Sequence, residues 1–149
     1  MSAAPPTLDA LTDAVRAVLA DVPEVVAGWL FGSRARGTAR DDSDLDVAIL
    51  YRDLDSRAND RVAAQIAAAL ARATGIERID VVDLAAQGPI FAHRVLCEAT
   101  MVHESDRARR IDFVTDTMSQ AFDFMPTYRI ATQGKAASLR RWLEARYDV

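Results

Sequence analysis

The sequence predicts an α+β fold: a small mixed β-sheet of about four strands with helices packed mainly on one face. Three observations lead there. Apolar residues recur at helical spacing in some stretches, and short β-branched runs bounded by turn residues occur in others. Their order along the chain reads αββαβαβαα. That order contains an adjacent strand pair, which a purely doubly wound parallel sheet does not accommodate.

The first helix follows Pro5-Pro6, with Thr7 as its cap and Leu8, Leu11, Val15, Val18 and Leu19 as its apolar stripe. Pro23 closes it. Val25 to Phe31 reads as a buried strand that Gly32 stops, and Arg34 to Ser43 reads as a polar connection. A second strand starts near Asp44 and runs to Leu50. The Ala-rich stretch from Ser56 to Thr74 has strong helix propensity, with Gly75 as its stop. Ile76 to Val82 is the third strand, and Pro89 opens a helix reaching Glu98. Thr100 to His103 is a short fourth strand. A helix from Asp106 to about Phe124 is expected to break before Pro126, with Phe113, Val114, Met118, Phe122, Phe124 and Met125 in the core. The tail from Ala136 to Tyr147 is helical by propensity, with Leu139, Trp142 and Leu143 on its apolar face.

With no repeat, low-complexity tract or long linker in its 149 residues, the chain reads as one domain, 1–149. Residues 1–6 read as a disordered lead and 106–149 as a C-terminal helical region. The single cysteine, Cys97, excludes an internal disulfide and a Cys-rich zinc site, and its apolar neighbours predict that it is core. No run approaches the ~20 apolar residues of a membrane helix, and the N-terminus lacks the pattern of a secretory signal. The expected compartment is therefore the cytoplasm, without membrane association. A net charge of −4 argues against a protein that coats nucleic acid, so no direct nucleic-acid binding is expected. His93 and His103 lack the short fixed spacing of metal-ligand pairs.

Chemistry concentrates on the second and third strands. Alternation sends Leu45, Val47 and Ile49 to one face, and Asp44 and Asp46 to the other. The two aspartate Cα atoms would stand about 6.5–7 Å apart. Two carboxylates this close repel each other unless a cation lies between them, and all-oxygen donors suit a hard divalent ion. In the third strand, Asp80 interrupts the Ile79–Val81 alternation and would join them if the two strands pair. Asp83 has the opposite parity and reads as a solvated or capping residue. Gly32-Ser33 ends the first strand just ahead of this site. A glycine there lets a phosphate approach the backbone, whose N–H groups and the Ser33 hydroxyl can donate to it. Arg34, Arg36 and Arg40 in the connection, and Arg107, Arg109 and Arg110 further on, read as solvated.

Gly32-Ser33, ten residues, then Asp44-Leu45-Asp46 resembles the signature of the DNA polymerase beta nucleotidyltransferase superfamily. The fuller string Phe31-Gly32-Ser33-Arg34-Ala35-Arg36-Gly37, with Ser43-Asp44-Leu45-Asp46-Val47, is similar to its minimal nucleotidyltransferase group. The resemblance implies a polymerase-beta-type fold and a substrate NTP, most simply ATP. It also implies two Mg²⁺ ions held by Asp44, Asp46 and Asp80, with Gly32 and Ser33 on the phosphates. Nothing resembles the large extra domains of poly(A) polymerases, tRNA-terminal transferases or repair polymerases. Stand-alone relatives of this size look like antitoxins that attach AMP to a HEPN-domain RNase toxin. A HEPN-type partner and AMP transfer to a protein hydroxyl are thus the leading expectation. The alternatives are a small-molecule nucleotidyltransferase of the aminoglycoside-modifying type and a non-catalytic antitoxin that neutralises by contact.

Overall fold

Thr7 accepts a hydrogen bond from the Ala10 N–H and starts helix α1 (Leu8–Ala20), which buries Leu11, Val15 and Leu19. The computed structural model describes residues 4–53 and 55–133, with residues 127–133 as backbone alone. After α1 come strand β1 (Val25–Phe31), a one-turn helix α2 (Gly32–Arg36) and strand β2 (Leu45–Tyr51). Helix α3 (Ser56–Thr74) follows, capped by Asp55 at its start and by left-handed Gly75 at its end. Strand β3 (Ile79–Asp83), a 3₁₀ turn, helix α4 (Pro89–Glu98), strand β4 (Thr100–Glu104) and helix α5 (Arg107–Gln133) complete the order among the described residues.

The four strands form one sheet in the order β3-β2-β1-β4. β1 runs antiparallel to both β2 and β4, whereas β2 and β3 are parallel and joined through α3. The sheet is therefore mixed, as the adjacent strand pair in the sequence requires. Helices α1 and α3 cover one face: Val15, Leu19, Ile66 and Leu70 pack on Leu30, Leu45, Val47 and Ile49. The other face is covered too, by Leu84 and by Ala92 and Val95 of α4, which pack on Trp29, Ala48 and Leu50, with Phe113 of α5 alongside. This second cover exceeds what one main helical face would give. Ala48 and Leu50 share the face of Asp46, so that side turns apolar two residues into the strand and needs shielding of its own.

Several expectations change. The connection after β1 begins with the α2 turn instead of an open loop. β3 starts at Ile79, and Ile76 is buried from a loop position. Cys97 is exposed: α4 buries Ala92 and Val95, and two residues beyond Val95 a helix points elsewhere. Helix α5 runs through Pro126, whose missing N–H falls after the exposed turn Phe122–Phe124, where water can serve the freed carbonyl. Phe122 and Phe124 are exposed, while Phe113, Val114, Met118 and Met125 are half-buried. The expected helix of residues 136–147, with Leu139, Trp142 and Leu143, lies outside the described residues, as do residues 1–3 of the expected lead. Among the described residues no helix is long and apolar enough to cross a membrane.

Candidate active site

The end of β1, the start of β2 and the start of β3 meet at one end of the sheet. Asp46 stands opposite Phe31 on β1 and opposite Asp80 on β3. The parallel register thus places Asp46 and Asp80 side by side on one face, as strand alternation predicted. One step back, Leu45 pairs with Ile79 and the Leu45 N–H donates to the Arg78 carbonyl at 2.9 Å. Asp44 and Arg78 therefore occupy the adjacent cross-strand position, and their side chains form an ion pair, Nε to Oδ1, at 3.1 Å.

The face carries three carboxylates and one guanidinium at four neighbouring positions. Arg78 went unrecognised in the sequence, although it has the parity of Asp80 and lies two residues before it. Among the described residues, no three His, Cys, Asp or Glu side chains are gathered closely enough to hold a metal. Asp46 and Asp80 are brought together; Asp44 belongs to the same face but is engaged by Arg78.

Asp46 feels this crowding. Its carboxyl is pushed up from 3.8 to about 6, first by burial, then by the charges of Asp80 and Asp44, while Arg36 and Arg34 pull the other way. A cation would relieve that repulsion, and an all-carboxylate donor set suits Mg²⁺. Asp46 and Asp80 present oxygen donors of the kind such an ion takes, with Asp44 on the same face.

Gly32 makes the close approach to Asp46 feasible. It has φ +76°, and a Cβ built on it would overlap the Asp46 carboxylate Oδ2. Ser33, half-buried, follows in α2, and its carbonyl accepts from the Thr38 N–H at 3.0 Å. Arg34, expected in solvent, is 6% exposed and donates from Nε and Nη2 to the Ser43 carbonyl at 3.1 and 2.7 Å. On the outer side, Arg78 Nη2 donates to the Asp42 carbonyl. Two arginines from different elements thus hold the segment that leads into Asp44. A cavity of about 510 Å³ opens between that segment, residues 4–6 and the turn from Thr74 to Arg78.

The other singled-out residues lie elsewhere. Asp83 faces the α3 side, where its Oδ2 accepts from Asn59 Nδ2 at 3.2 Å; its side chain neither caps the following turn nor is free in solvent. Arg109 donates to the Arg52 carbonyl at the far end of β2, and Arg110 pairs with Glu104. His93 sits on α4, its ring edge-on to Phe122, and burial lowers the pKa of His103 on β4.

Comparison with known proteins agrees with this geometry. The family model described as "Polymerase beta, Nucleotidyltransferase" matches residues 13–108, which span β1, β2, β3 and all five candidate residues. A solved structure provisionally described as a minimal nucleotidyltransferase is 31% identical, with TM-score 0.54, covering 66% of this chain and 98% of that one. A chain from a toxin–antitoxin crystal structure with AMP-PNP is 23% identical, with TM-score 0.58, covering 89% and 98%. A chain from the structure of a tri-AMPylated Shewanella oneidensis HEPN toxin in complex with MNT antitoxin is 21% identical, with TM-score 0.57, covering 92% and 99%. The last two are likenesses of fold. No match is found among curated protein sequences. With its family model spanning well over half the chain and centred on the carboxylate-bearing strands, the protein belongs to the polymerase beta nucleotidyltransferase family.

Proposed function

We propose that this chain, acting as one nucleotidyltransferase unit in the cytoplasm, transfers AMP from ATP to a hydroxyl of a HEPN-domain RNase toxin, with pyrophosphate as the leaving group, and so serves as its antitoxin. The observation that carries this reading is the in-register Asp46–Asp80 pair beside Gly32, with Asp44 two register positions away on the same face. Support for the partner comes from the fold likeness to chains of toxin–antitoxin complexes, one of them with an AMPylated toxin.

Asp44, Asp46 and Asp80 would hold two Mg²⁺ ions, which supply Lewis-acid polarisation of the phosphates and lower the pKa of the attacking hydroxyl. Asp80, exposed on the edge strand β3, would serve the acceptor side. The backbone after Gly32 and the Ser33 hydroxyl would hold the β- and γ-phosphates, because Gly32 leaves no side chain between them and Asp46. Arg34 keeps the segment before Asp44 fixed against α2, so that the phosphate and carboxylate groups keep their spacing.

The test is incubation with α-³²P-labelled NTPs and Mg²⁺, with and without a candidate HEPN protein from the same genome. An Asp44→Asn, Asp46→Asn double variant runs in parallel. Label on the HEPN protein with intact aspartates alone is the expected result. Label on a small molecule, or neutralisation of the toxin by the double variant without any label, would overturn the reading.

A further inference from the structure

The four positions at the start of β2 and β3 carry three aspartates and Arg78, and the arginine is the feature that metal binding does not require. Its Nε pairs with Asp44 Oδ1 at 3.1 Å while its Nη2 donates to the Asp42 carbonyl. The guanidinium therefore bridges the side chain of Asp44 and the backbone two residues before it. One nitrogen of this fork meets a single carboxylate oxygen while another is tied to the backbone, which fixes where the counter-charge sits in a way a freely rotating ammonium does not. Asp46 and Asp80 stand opposite one another on the same face, yet the three carboxylates are not gathered into a metal-binding group.

We propose that Arg78 is a positioning residue that holds Asp44 apart from Asp46 and Asp80 until a divalent cation takes its place. This rests on the metal-dependent reading given above. Binding of the cation then exchanges one counter-charge of Asp44 for another. The exchange costs little because both side chains of the pair are at least half exposed, at 67% and 50%. Arg78 stays attached through the Asp42 carbonyl, so the segment before Asp44 keeps its shape while its carboxylate turns.

Mn²⁺ affinity, measured by electron paramagnetic resonance on the whole chain without nucleotide, tests this independently of transfer. Arg78→Gln should bind Mn²⁺ about two- to five-fold more tightly than the wild type, the range set by an exposed ion pair. Arg36→Gln removes a charge that also acts on Asp46 but that makes no ion pair with Asp44, so it should bring a smaller gain. Arg78→Lys keeps the charge without the fork and should still bind more tightly than the wild type. Unchanged or weaker binding by Arg78→Gln, or an equal gain from Arg36→Gln, would overturn the proposal while leaving the metal site standing. No Mn²⁺ binding by the wild type would remove both the metal reading and this one.

Discussion

The two ends of β2 use polar side chains in opposite ways. At its start, Asp46 faces Asp80 and Asp44, and among the described residues only charged side chains act on its carboxylate. At its end, Tyr51 is buried and Asp83 of β3 accepts from the Asn59 amide, which also donates to the Asp53 carbonyl at 2.9 Å. Burial, then the charges of Asp83 and Asp60, raises the pKa of the Tyr51 phenol, so it stays neutral. One end concentrates negative charge that a ligand would resolve, and the other ties Asp83 to α3 through the Asn59 amide. The first arrangement costs stability and the second is part of the structure, which is how a functional cluster differs from a structural one.

The largest effect that would break this contrast is on transfer. Asp46→Asn should lower nucleotidyl transfer by more than about 100-fold, because even the outer partners of metal ligands are worth 10–100-fold. Initial rates with saturating acceptor measure it. Next comes Asn59→Ala, which leaves Asp83 and the Asp53 carbonyl without their donor. It should cost about 1–3 kcal/mol in urea unfolding and leave Mn²⁺ affinity as it was. A matching loss of Mn²⁺ affinity would erase the distinction between the two ends.

A smaller effect concerns stability without metal. Asp46 binds its proton more tightly folded, at about 6, than unfolded, near its ordinary 3.8. Ionising it therefore destabilises the fold as pH rises through that window. Metal-free Asp46→Asn should match the wild type below about pH 4, gain on it between pH 4 and 6, and keep an advantage of about 1 kcal/mol above. The full shift would give more, but the half-exposed site screens part of it. The smallest change is Tyr51→Phe. Among the described residues, the Tyr51 hydroxyl and Asp83 Oδ1 are buried without a hydrogen-bond partner. Removing the hydroxyl should be neutral or stabilise by up to about 1 kcal/mol, whereas a clear loss would reveal a partner bound there.

Much of this architecture was legible in the sequence because local signals agreed with one another. Val25 to Phe31, Ser56 to Thr74 and Pro89 to Glu98 form the elements that their periodicity and caps predict, with the same limits. Parity alone placed Asp46 with Asp80 and set Asp83 on the opposite face. What was missed depended on tertiary contacts. Arg34 read as solvated because nothing local announces that the Ser43 carbonyl will meet its guanidinium. Cys97 read as core from its apolar neighbours, although α4 turns it outward. Arg78 was legible in principle, since the alternation that picked out Asp80 also selects the residue two before it. Pro126 predicted a helix end, but α5 continues through it, with the carbonyl it frees on an exposed turn.

The central claim is that the carboxylate end of the sheet transfers the nucleotidyl group of an NTP. The most direct measurement supplies ATP labelled at either the α- or the γ-phosphate, with Mg²⁺ and the proposed HEPN partner, to the wild type and to Asp46→Asn. Stable label on the partner from the α-position alone, and with the wild type alone, is the predicted result. Transfer of the γ-label, or equal α-labelling by Asp46→Asn, would contradict it.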